Sequence, residues 1–269
     1  MTYKNMKANQ VSKKWSKNFQ VIYVMWLREM KRFWRSKSRV IGSLAMPFFF
    51  LLVMGSGFRN GFNIPGIPQG VNYLDFLVPA MVGMTILFNS MFAGLSILWD
   101  KEFGFLKEIM VAPVGRTVIV LGRIVGGLAT AMIQGILILF VSLFLGFKLL
   151  NPWGILMAII FMILIGAGFI GFGVAIASCM EDTQGFSLIM QFIVMPIFLL
   201  SGAFFPIANF PKWLRPLAYI DPLTYGIDGL RQSLLGFGQF SAWLDAGLLL
   251  LFALMMVILG TLLFNQTEV

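Results

Sequence analysis

Histidine is absent from the 269 residues of this sequence, and Cys179 is its only cysteine. Without histidine the chain lacks the side chain that most often serves as a general base or a metal ligand. A single cysteine excludes a disulfide within the chain. Charged residues are also scarce, at 12%, where a soluble domain carries about 25%. These absences argue against a metal centre, a serine–histidine pair or a cluster of catalytic carboxylates.

Apolar residues dominate instead, at 59% of the sequence with a mean hydropathy of +0.88. Several runs exceed the roughly 18 apolar residues that a membrane-spanning helix needs. The sequence therefore predicts an all-α integral membrane protein that forms a single transmembrane domain over residues 1–269. Six transmembrane helices are predicted within the segment 40–264, at residues 40–57, 76–99, 118–147, 153–178, 186–205 and 242–264.

A basic amphipathic segment precedes the first of these helices. Residues 1–14 are polar and predict an unstructured tail, whereas residues 15–36 repeat with the period of a helix. This pattern predicts a helix in the membrane interface rather than a nucleic-acid-binding arm, because a membrane span follows at once. The helix is either a plain anchor or also a surface for a partner protein. Its apolar face comprises Trp15, Phe19, Ile22, Trp26, Met30 and Phe33, and its basic face comprises Lys14, Lys17, Arg28, Lys31, Arg32 and Arg35.

The distribution of lysine and arginine predicts the orientation of the chain. Eleven of the 20 basic residues lie between Lys4 and Arg39, and four more lie in the connection 100–123. Six crossings place these fifteen on one side of the membrane and the other five on the opposite side. Because basic segments stay in the cytoplasm, both termini are predicted to be cytoplasmic. A count of five crossings would instead place the C-terminus outside.

The connection after the second predicted helix, residues 100–116, mixes charged residues with apolar ones at helical spacing. Pro113 and Gly115 end that pattern. A short amphipathic helix of this kind suits docking into a groove of a soluble protein. It equally suits a helix that rests on the chain's own bundle, and the sequence leaves both interpretations open.

A second interruption, residues 206–240, lies between the fifth and sixth predicted helices and contains four prolines. Proline breaks a helix because it lacks an N–H donor, and backbone freed at membrane depth must be buried in protein or face a water-filled cavity. We therefore predict a re-entrant external hairpin that gates a transport path, or else a structural lid. Asp228 and Arg231 are three residues apart on a predicted helix, a spacing at which they can pair. The predicted gate residues are Pro206, Trp213, Pro222, Tyr225, Asp228 and Arg231.

Two groups of residues carry a resemblance to a known family. In the connection they are Glu102, Gly104, Pro113 and Arg116; nearer the C-terminus they are Pro196, Ser201-Gly202, Phe205-Pro206, Pro211, Trp213-Leu214 and Pro222-Leu223-Thr224-Tyr225, followed by Asp228 and Arg231. With these motifs the chain resembles type 2 ATP-binding-cassette (ABC) exporter permeases over nearly its whole length. It looks most like the drug-exporter branch of the daunorubicin exporter permeases and the branches that export nodulation factors or lipid-linked sugars.

The resemblance implies a permease subunit in the cytoplasmic (inner) membrane of a prokaryote, paired with a second copy as a homodimer or a related heterodimer. Separate ATPase subunits would dock beneath it and bind ATP and Mg²⁺. The 15–36 helix would be the family's connecting helix and 100–116 its coupling loop. The sequence agrees on one point, since it contains no GxxxxGK[ST] phosphate loop and so no such cofactor site of its own. The residues implied in coupling are Glu102, Gly104, Leu106, Ile109, Pro113 and Arg116.

The resemblance also places the transport path between the two copies, along the first, second and fifth predicted helices. A lining rich in phenylalanine and methionine accepts apolar or amphipathic molecules without a fixed polar code. The alternative is that the phenylalanines face lipid and that the polar residues only bond between helices. The predicted path residues are Phe48, Phe50, Asn89, Phe92, Gln191 and Phe198.

Two other functions stay open at the level of sequence. An ATP-independent secondary carrier or channel is disfavoured because coupled carriers usually need charged groups inside the membrane, and the predicted helices hold almost none. A membrane-embedded enzyme is disfavoured by the missing histidine. Dependence of transport on a separate ATPase chain would distinguish the exporter from both.

Overall fold

The structure is a computed structural model that describes residues 2–55, 57–58, 65–68, 70–105 and 115–266, with backbone only for residues 2–17 and 39. Within these residues every regular element is helical, which agrees with the predicted all-α class. The α-helices are α1 (Thr2–Arg35), α2 (Lys37–Phe50), α3 (Tyr73–Glu102), α4 (Arg116–Phe144), α5 (Ile155–Ser178), α6 (Thr183–Ile189), α7 (Met195–Leu200), α8 (Arg215–Ile220), α9 (Pro222–Leu235) and α10 (Ala242–Gln266).

Two wide turns interrupt the helices that sequence reasoning treated as continuous. A π-helical turn, Leu51–Gly55, follows α2, and a second one, Met190–Val194, joins α6 to α7. Pro196, near the start of α7, cannot donate a backbone hydrogen bond to the preceding turn. A π-turn is a common way for a helix to absorb such a local mismatch.

Five helical segments are long and apolar enough to cross a membrane. They are Tyr73–Glu102, Arg116–Phe144, Pro152–Ser178, Thr183–Leu200 and Ala242–Gln266. The predicted first span, 40–57, meets the same test only when it is joined to the end of α1, from which it is bent by 70°. The count is therefore five or six, which confirms a multi-span membrane protein but not six separate spans.

The position of α2 supports a sixth crossing. Ser38, near its start, lines a cavity together with Asp100 at the end of α3, while Gly55 packs on Leu74 at the start of α3. The segment 37–55 thus runs antiparallel to α3, from the end of α3 to its start. The fifth prediction, 186–205, extended too far, because the helix ends at Leu200 and residues 201–205 form turns.

The helix α1 differs in two respects from the predicted interfacial helix. It begins at Thr2, so the segment predicted as a polar tail is helical in the structure. Its predicted apolar face is not wholly free for lipid, because Met30 and Phe33 are buried against the bundle, as is Met25. Phe19, in contrast, is 73% exposed.

The helix α3 forms the centre of the bundle, and most of its residues are buried. It touches α5 backbone to backbone, since a Cβ on Gly94 would overlap the backbone of Gly173. On the other side of α5, a Cβ on Gly260 of α10 would lie 2.7 Å from the carbonyl oxygen of Gly171. Small residues at helix contacts are typical of membrane bundles, where close packing replaces hydrophobic burial as the main attraction.

Candidate functional site

A buried charge cluster connects α1, α3 and α4 at the end of the bundle where the 100–116 connection begins. We use the name charge cluster for Arg28, Glu29, Ser96, Asp100 and Arg123. Arg123 donates from Nη2 to Asp100 Oδ2 and from Nη1 to Ser96 Oγ, the latter at 3.0 Å. Arg28 Nη2 donates to the same Asp100 oxygen at 3.0 Å and lies 3.3 Å from Glu29 Oε1. One carboxylate therefore bridges two guanidinium groups on different helices.

Two glycines on α4 let α1 approach closely enough for these contacts. A Cβ on Gly122 would lie 3.0 Å from the Met25 side chain, and one on Gly126 would lie 2.9 Å from that of Glu29. Only 2% of the Arg123 side chain is exposed, against 35% for Arg28. The less buried Arg28 is held between the carboxylates of Asp100 and Glu29.

Sequence reasoning missed this cluster. From the sequence, Asp100 and Arg123 fall in a cytoplasmic connection, and Arg28 falls on the helix face toward lipid headgroups and water. The signal that could have found it is a single carboxylate directly after an apolar run, with an arginine a few residues into the next run. Such charges near the ends of membrane helices require partners.

The residues predicted to couple to an ATPase lie partly in this region. Glu102 is the last residue of α3 and is exposed, and Gly104 has a φ of +76°, which favours glycine. Arg116 begins α4 and donates from Nη1 to the carbonyl oxygen of Asn265 at 2.7 Å. The remaining predicted coupling residues, Leu106, Ile109 and Pro113, lie outside the described residues.

These contacts bring four parts of the chain to one end of the bundle. Arg28 ties α1 to the beginning of the connection, and Arg116 ties the end of the connection to the last turn of α10. An odd number of crossings would put α1 and the end of α10 at opposite ends. The geometry therefore favours the even count over the alternative of five crossings.

An apolar cavity of about 250 Å³ lies between α2, α3 and α7. Of the predicted path residues, Asn89 and Phe92 line it, and Asn89 Nδ2 donates to the carbonyl oxygen of Thr85 at 2.7 Å. Phe48 and Gln191 are exposed on helix surfaces away from the cavity lining. The lining consists of Gly42, Ser43, Met46, Pro47, Met84, Thr85, Phe88, Asn89, Phe92 and Met195.

The other two predicted path residues belong to an aromatic cluster beside the cavity. Phe50 and Phe198 both pack on Phe204, with ring centroids 5.2 and 5.5 Å apart. Phe198 is fully buried and also contacts Phe88, which lines the cavity. These rings therefore support the wall of the cavity from behind rather than face its interior.

Beyond α7 the proline-rich segment forms two short helices, α8 and α9, before α10 begins. The end of α9 meets the connection between α4 and α5, where Asn151 donates its N–H to the Leu234 carbonyl at 3.2 Å. Earlier in α9, Gly226 packs on Ile165 of α5. Because α5 leads away from that connection, α9 runs antiparallel to α5, from Asp221 toward the connection between α4 and α5.

Asp228 and Arg231 do not form the ion pair that their spacing allows. Both side chains are described and buried, yet they bind different loops instead of each other. Arg231 donates to the carbonyls of Gly202 and Ala203 at 2.8 and 3.0 Å, and its guanidinium lies 3.7 Å from the ring centre of Phe76. Asp228 accepts the backbone N–H groups of residues 239 and 240. Backbone N–H and carbonyl groups in these loops have no partner within a helix, and they bind the two charged side chains in place of an ion pair.

The remaining predicted gate residues differ in exposure. Pro206 directly precedes a short 3₁₀ turn, Trp213 is 73% exposed, and the Tyr225 hydroxyl donates to the Tyr219 carbonyl at 2.6 Å. Pro222 starts α9.

Asp221, which was not predicted, caps α9 by accepting the Leu223 N–H at 2.9 Å. Its other carboxyl oxygen, Oδ2, is buried without a partner among the described residues. Burial raises the pKa of Asp221 to about 8, against the lowering effect of the Leu223 N–H.

The comparison with known proteins agrees with the sequence motifs. Residues 20–235 match the family described as ABC-2 type transporter. The chain is 28% identical over 237 residues to the inner membrane transport permease YadH of Escherichia coli (strain K12), covering 85% of this chain and 88% of YadH. It is also 28% identical over 176 residues to "Probable multidrug ABC transporter permease YbhR" of the same strain, covering 65% and 46%. The resemblance to type 2 ABC permeases is thereby confirmed, and the chain belongs to the ABC-2 type transporter family.

Proposed function

We propose that this chain is the membrane subunit of an ATP-driven exporter that moves an apolar or amphipathic substrate, such as a drug, a lipid or a lipid-linked glycan. Membership of the family implies partnership with an ABC ATPase. In this proposal the ATPase subunits bind ATP and Mg²⁺, and the path lies between two identical or related permease copies. The surplus of lysine and arginine near the N-terminus and the 100–116 connection supports cytoplasmic termini.

The charge cluster is the observation that carries this proposal. Asp100, where the connection begins, is bonded to α1 and α4. Arg116, where the connection ends, is bonded to α10. A movement of the connection caused by an ATPase would therefore be transmitted to α1, α3, α4 and α10 through these contacts. Packed helices respond to small displacements by switching between discrete arrangements, and alternating access needs two such arrangements.

The cavity between α2, α3 and α7 supports an apolar substrate. Its polar groups are mostly occupied, since the hydroxyls of Ser43 and Thr85 and the amide of Asn89 donate to backbone carbonyls of their own helices. They offer little hydrogen-bonding selectivity to a ligand. At about 250 Å³ the cavity is slightly smaller than the usual range for a drug-sized ligand, roughly 300–1,000 Å³. A second permease copy facing it would enlarge the space.

The contacts of Arg231 support a gate at the outer end of the path. Arg231 holds the turn that follows α7, and Met195 of α7 lines the cavity. A movement of α7 would therefore be transmitted to α9 through a buried guanidinium. In this proposal the hairpin opens and closes with the cavity rather than serving only as a fixed lid.

The experiment that tests this function is gentle purification of the tagged chain from native membranes, with mass spectrometry of the chains that accompany it. A P-loop ATPase in stoichiometric amount is expected. The double substitution Leu106→Asp and Ile109→Asp should remove it, because charges would disrupt an apolar docking face. A control double substitution, Leu250→Asn and Leu254→Asn on the exposed surface of α10, should leave it in place. Absence of any ATPase under several mild detergents would favour the ATP-independent carrier.

A further inference from the structure

A second cavity, of about 720 Å³, opens at the end of the bundle that holds the charge cluster. It lies where α1 ends, α2 begins and α3 ends. Four of its lining side chains are cationic and one is anionic, which gives it a net charge of about three positive units. We call it the basic pocket; it is lined by Arg28, Lys31, Arg32, Arg35, Ser36, Ser38, Asp100, Phe103 and Phe105.

Two of the four cations have interactions that hold them in place. Arg28 is bonded to Asp100, and the guanidinium of Arg32 lies 5.5 Å from the ring centre of Trp99. Lys31 and Arg35 are exposed and form no ion pair with any residue that the structure describes. Bringing like charges together without a counter-ion is unfavourable, so the pocket favours an anion.

The start of α2 adds hydrogen-bond donors to this charge. Ser36 precedes the first turn of α2, and its side chain does not cap that helix. The first N–H groups of a helix have no partner within it, and they attract phosphate groups through both hydrogen bonding and the helix dipole. Cationic side chains, a serine hydroxyl with no cap bond among the described residues, and helix N–H groups together form the donor set that a phosphate ester requires.

The surroundings of the pocket are apolar, which distinguishes a lipid from a soluble phosphate. Phe103 and Phe105 on its wall are 72% and 54% exposed. Trp34 and Ile41, on the helices that flank it, are each 69% exposed. Exposed aromatic side chains next to cations are typical of the membrane interface, where rings lie among headgroups and acyl chains.

We propose that the basic pocket binds the phosphate headgroup of an anionic membrane phospholipid, with the acyl chains against the exposed aromatic and aliphatic side chains beside it. The site is separate from the substrate cavity, and it does not depend on which substrate is transported. Because Arg28 and Asp100 belong to both the pocket and the charge cluster, the bound lipid contacts the junction of α1 and α3 directly.

The test is native mass spectrometry of the delipidated, purified chain titrated with phosphatidylglycerol, and in parallel with zwitterionic phosphatidylcholine. The test variant is Lys31→Gln with Arg35→Gln. The control variant, Lys148→Gln with Lys212→Gln, removes the same charge at the opposite end of the bundle. Each basic residue at an anionic surface contributes about 1 kcal/mol, which corresponds to roughly five-fold in affinity. The test variant is therefore expected to bind phosphatidylglycerol about 25-fold more weakly, and the control variant to bind it as the unmodified chain does.

Three results would overturn the proposal. The first is equal affinity of the test variant and the unmodified chain for phosphatidylglycerol. The second is full competition by inorganic phosphate or glycerol phosphate at the lipid's own concentration, which would assign the pocket to a soluble anion. The third is loss of ATPase capture by the test variant with unchanged lipid binding, which would make the pocket a protein contact. Failure to capture any ATPase with the unmodified chain would instead contradict only the proposed function.

Discussion

Removing the carboxylate of Asp100 is expected to destabilise the chain strongly, since it would leave Arg123 buried without a counter-charge. The Arg123 side chain is 2% exposed, and breaking a buried pair by removing one partner costs about 3–5 kcal/mol. Arg28 would contribute little to the loss, because it is 35% exposed and keeps Glu29 at 3.3 Å; such pairs contribute about 0–1 kcal/mol. Asp100→Asn should therefore lose about 3–5 kcal/mol of unfolding free energy.

The paired substitution Asp100→Asn with Arg123→Met should recover most of this loss. Methionine fills a similar volume without a charge, and replacing both members of a buried pair is often neutral. Arg123→Met alone should cost less than Asp100→Asn, because Asp100 would still be bonded to Arg28. The expected coupling energy between the two positions is about 3 kcal/mol, well above the few tenths expected of independent sites.

The measurement is reversible unfolding in mixed micelles, with the free energy of each variant referred to the unmodified chain. Asp182→Asn is the control, because Asp182 is exposed and caps α6 in a way that asparagine can reproduce. Purified complexes of the double variant should still assemble but hydrolyse ATP with less transport per cycle. A loss below about 1 kcal/mol for Asp100→Asn, or additive losses in the double variant, would refute this interpretation of the charge cluster.

Three further predictions concern other parts of the bundle. Gly94→Ala should lower the free energy of unfolding by about 1–3 kcal/mol, because the added methyl group forces α3 away from α5. The control, Gly247→Ala on α10, should be neutral or slightly stabilising, because nothing lies within 4 Å of the added methyl group. The unfolding of both variants measures these free energies, and equal effects of the two substitutions would contradict the prediction. Arg231→Ala should reduce transport at least about ten-fold at normal protein levels, because the carbonyls of Gly202 and Ala203 lose a charged donor. The control is Arg215→Ala, which removes a partly exposed arginine that also binds two carbonyls. Unchanged transport in the Arg231→Ala variant would leave the hairpin as a structural lid. Because of Asp221, the free energy of unfolding should fall as the pH rises from about 4 to about 8. Burial raises the pKa of Asp221 to about 8 in the folded state, whereas its pKa in the unfolded state is about 3.9. Below pH 4 the carboxyl is protonated in both states, and between the two pKa values it ionises only in the unfolded state. Asp221→Asn should remove that slope in thermal unfolding and Asp182→Asn should not, so a slope retained by Asp221→Asn would be inconsistent with the burial of its carboxyl.

The sequence was sufficient for features that depend on local composition. Apolar runs predicted five of the membrane helices, because a run long enough for the bilayer has few other stable conformations. The prolines predicted an interruption between the fifth and sixth spans, although the helix ends earlier than predicted, at Leu200. The first span was harder, because the chain bends by 70° between α1 and α2. Apolar length alone cannot reveal such a bend.

The sequence was insufficient for contacts between distant helices. Asp100 and Arg123 are separated by 23 positions along the chain, and Arg28 by 72 from Asp100. No periodicity within one helix reports such distances. Asp228 and Arg231 show the converse, because their spacing permits a pair but the nearby loops offer unpaired backbone groups. Local spacing indicates which contacts are possible, and tertiary packing decides which of them form.

Transport in a reconstituted system is the deciding measurement for an ATP-driven exporter. The chain would be placed in sealed inside-out vesicles with and without its co-purified ATPase, and uptake of a fluorescent amphipathic dye would be followed. We expect uptake only when both the ATPase and hydrolysable ATP are present, and none with a proton or sodium gradient alone. Uptake driven by an ion gradient in vesicles that lack the ATPase would contradict the proposed function and identify the chain as a self-sufficient carrier.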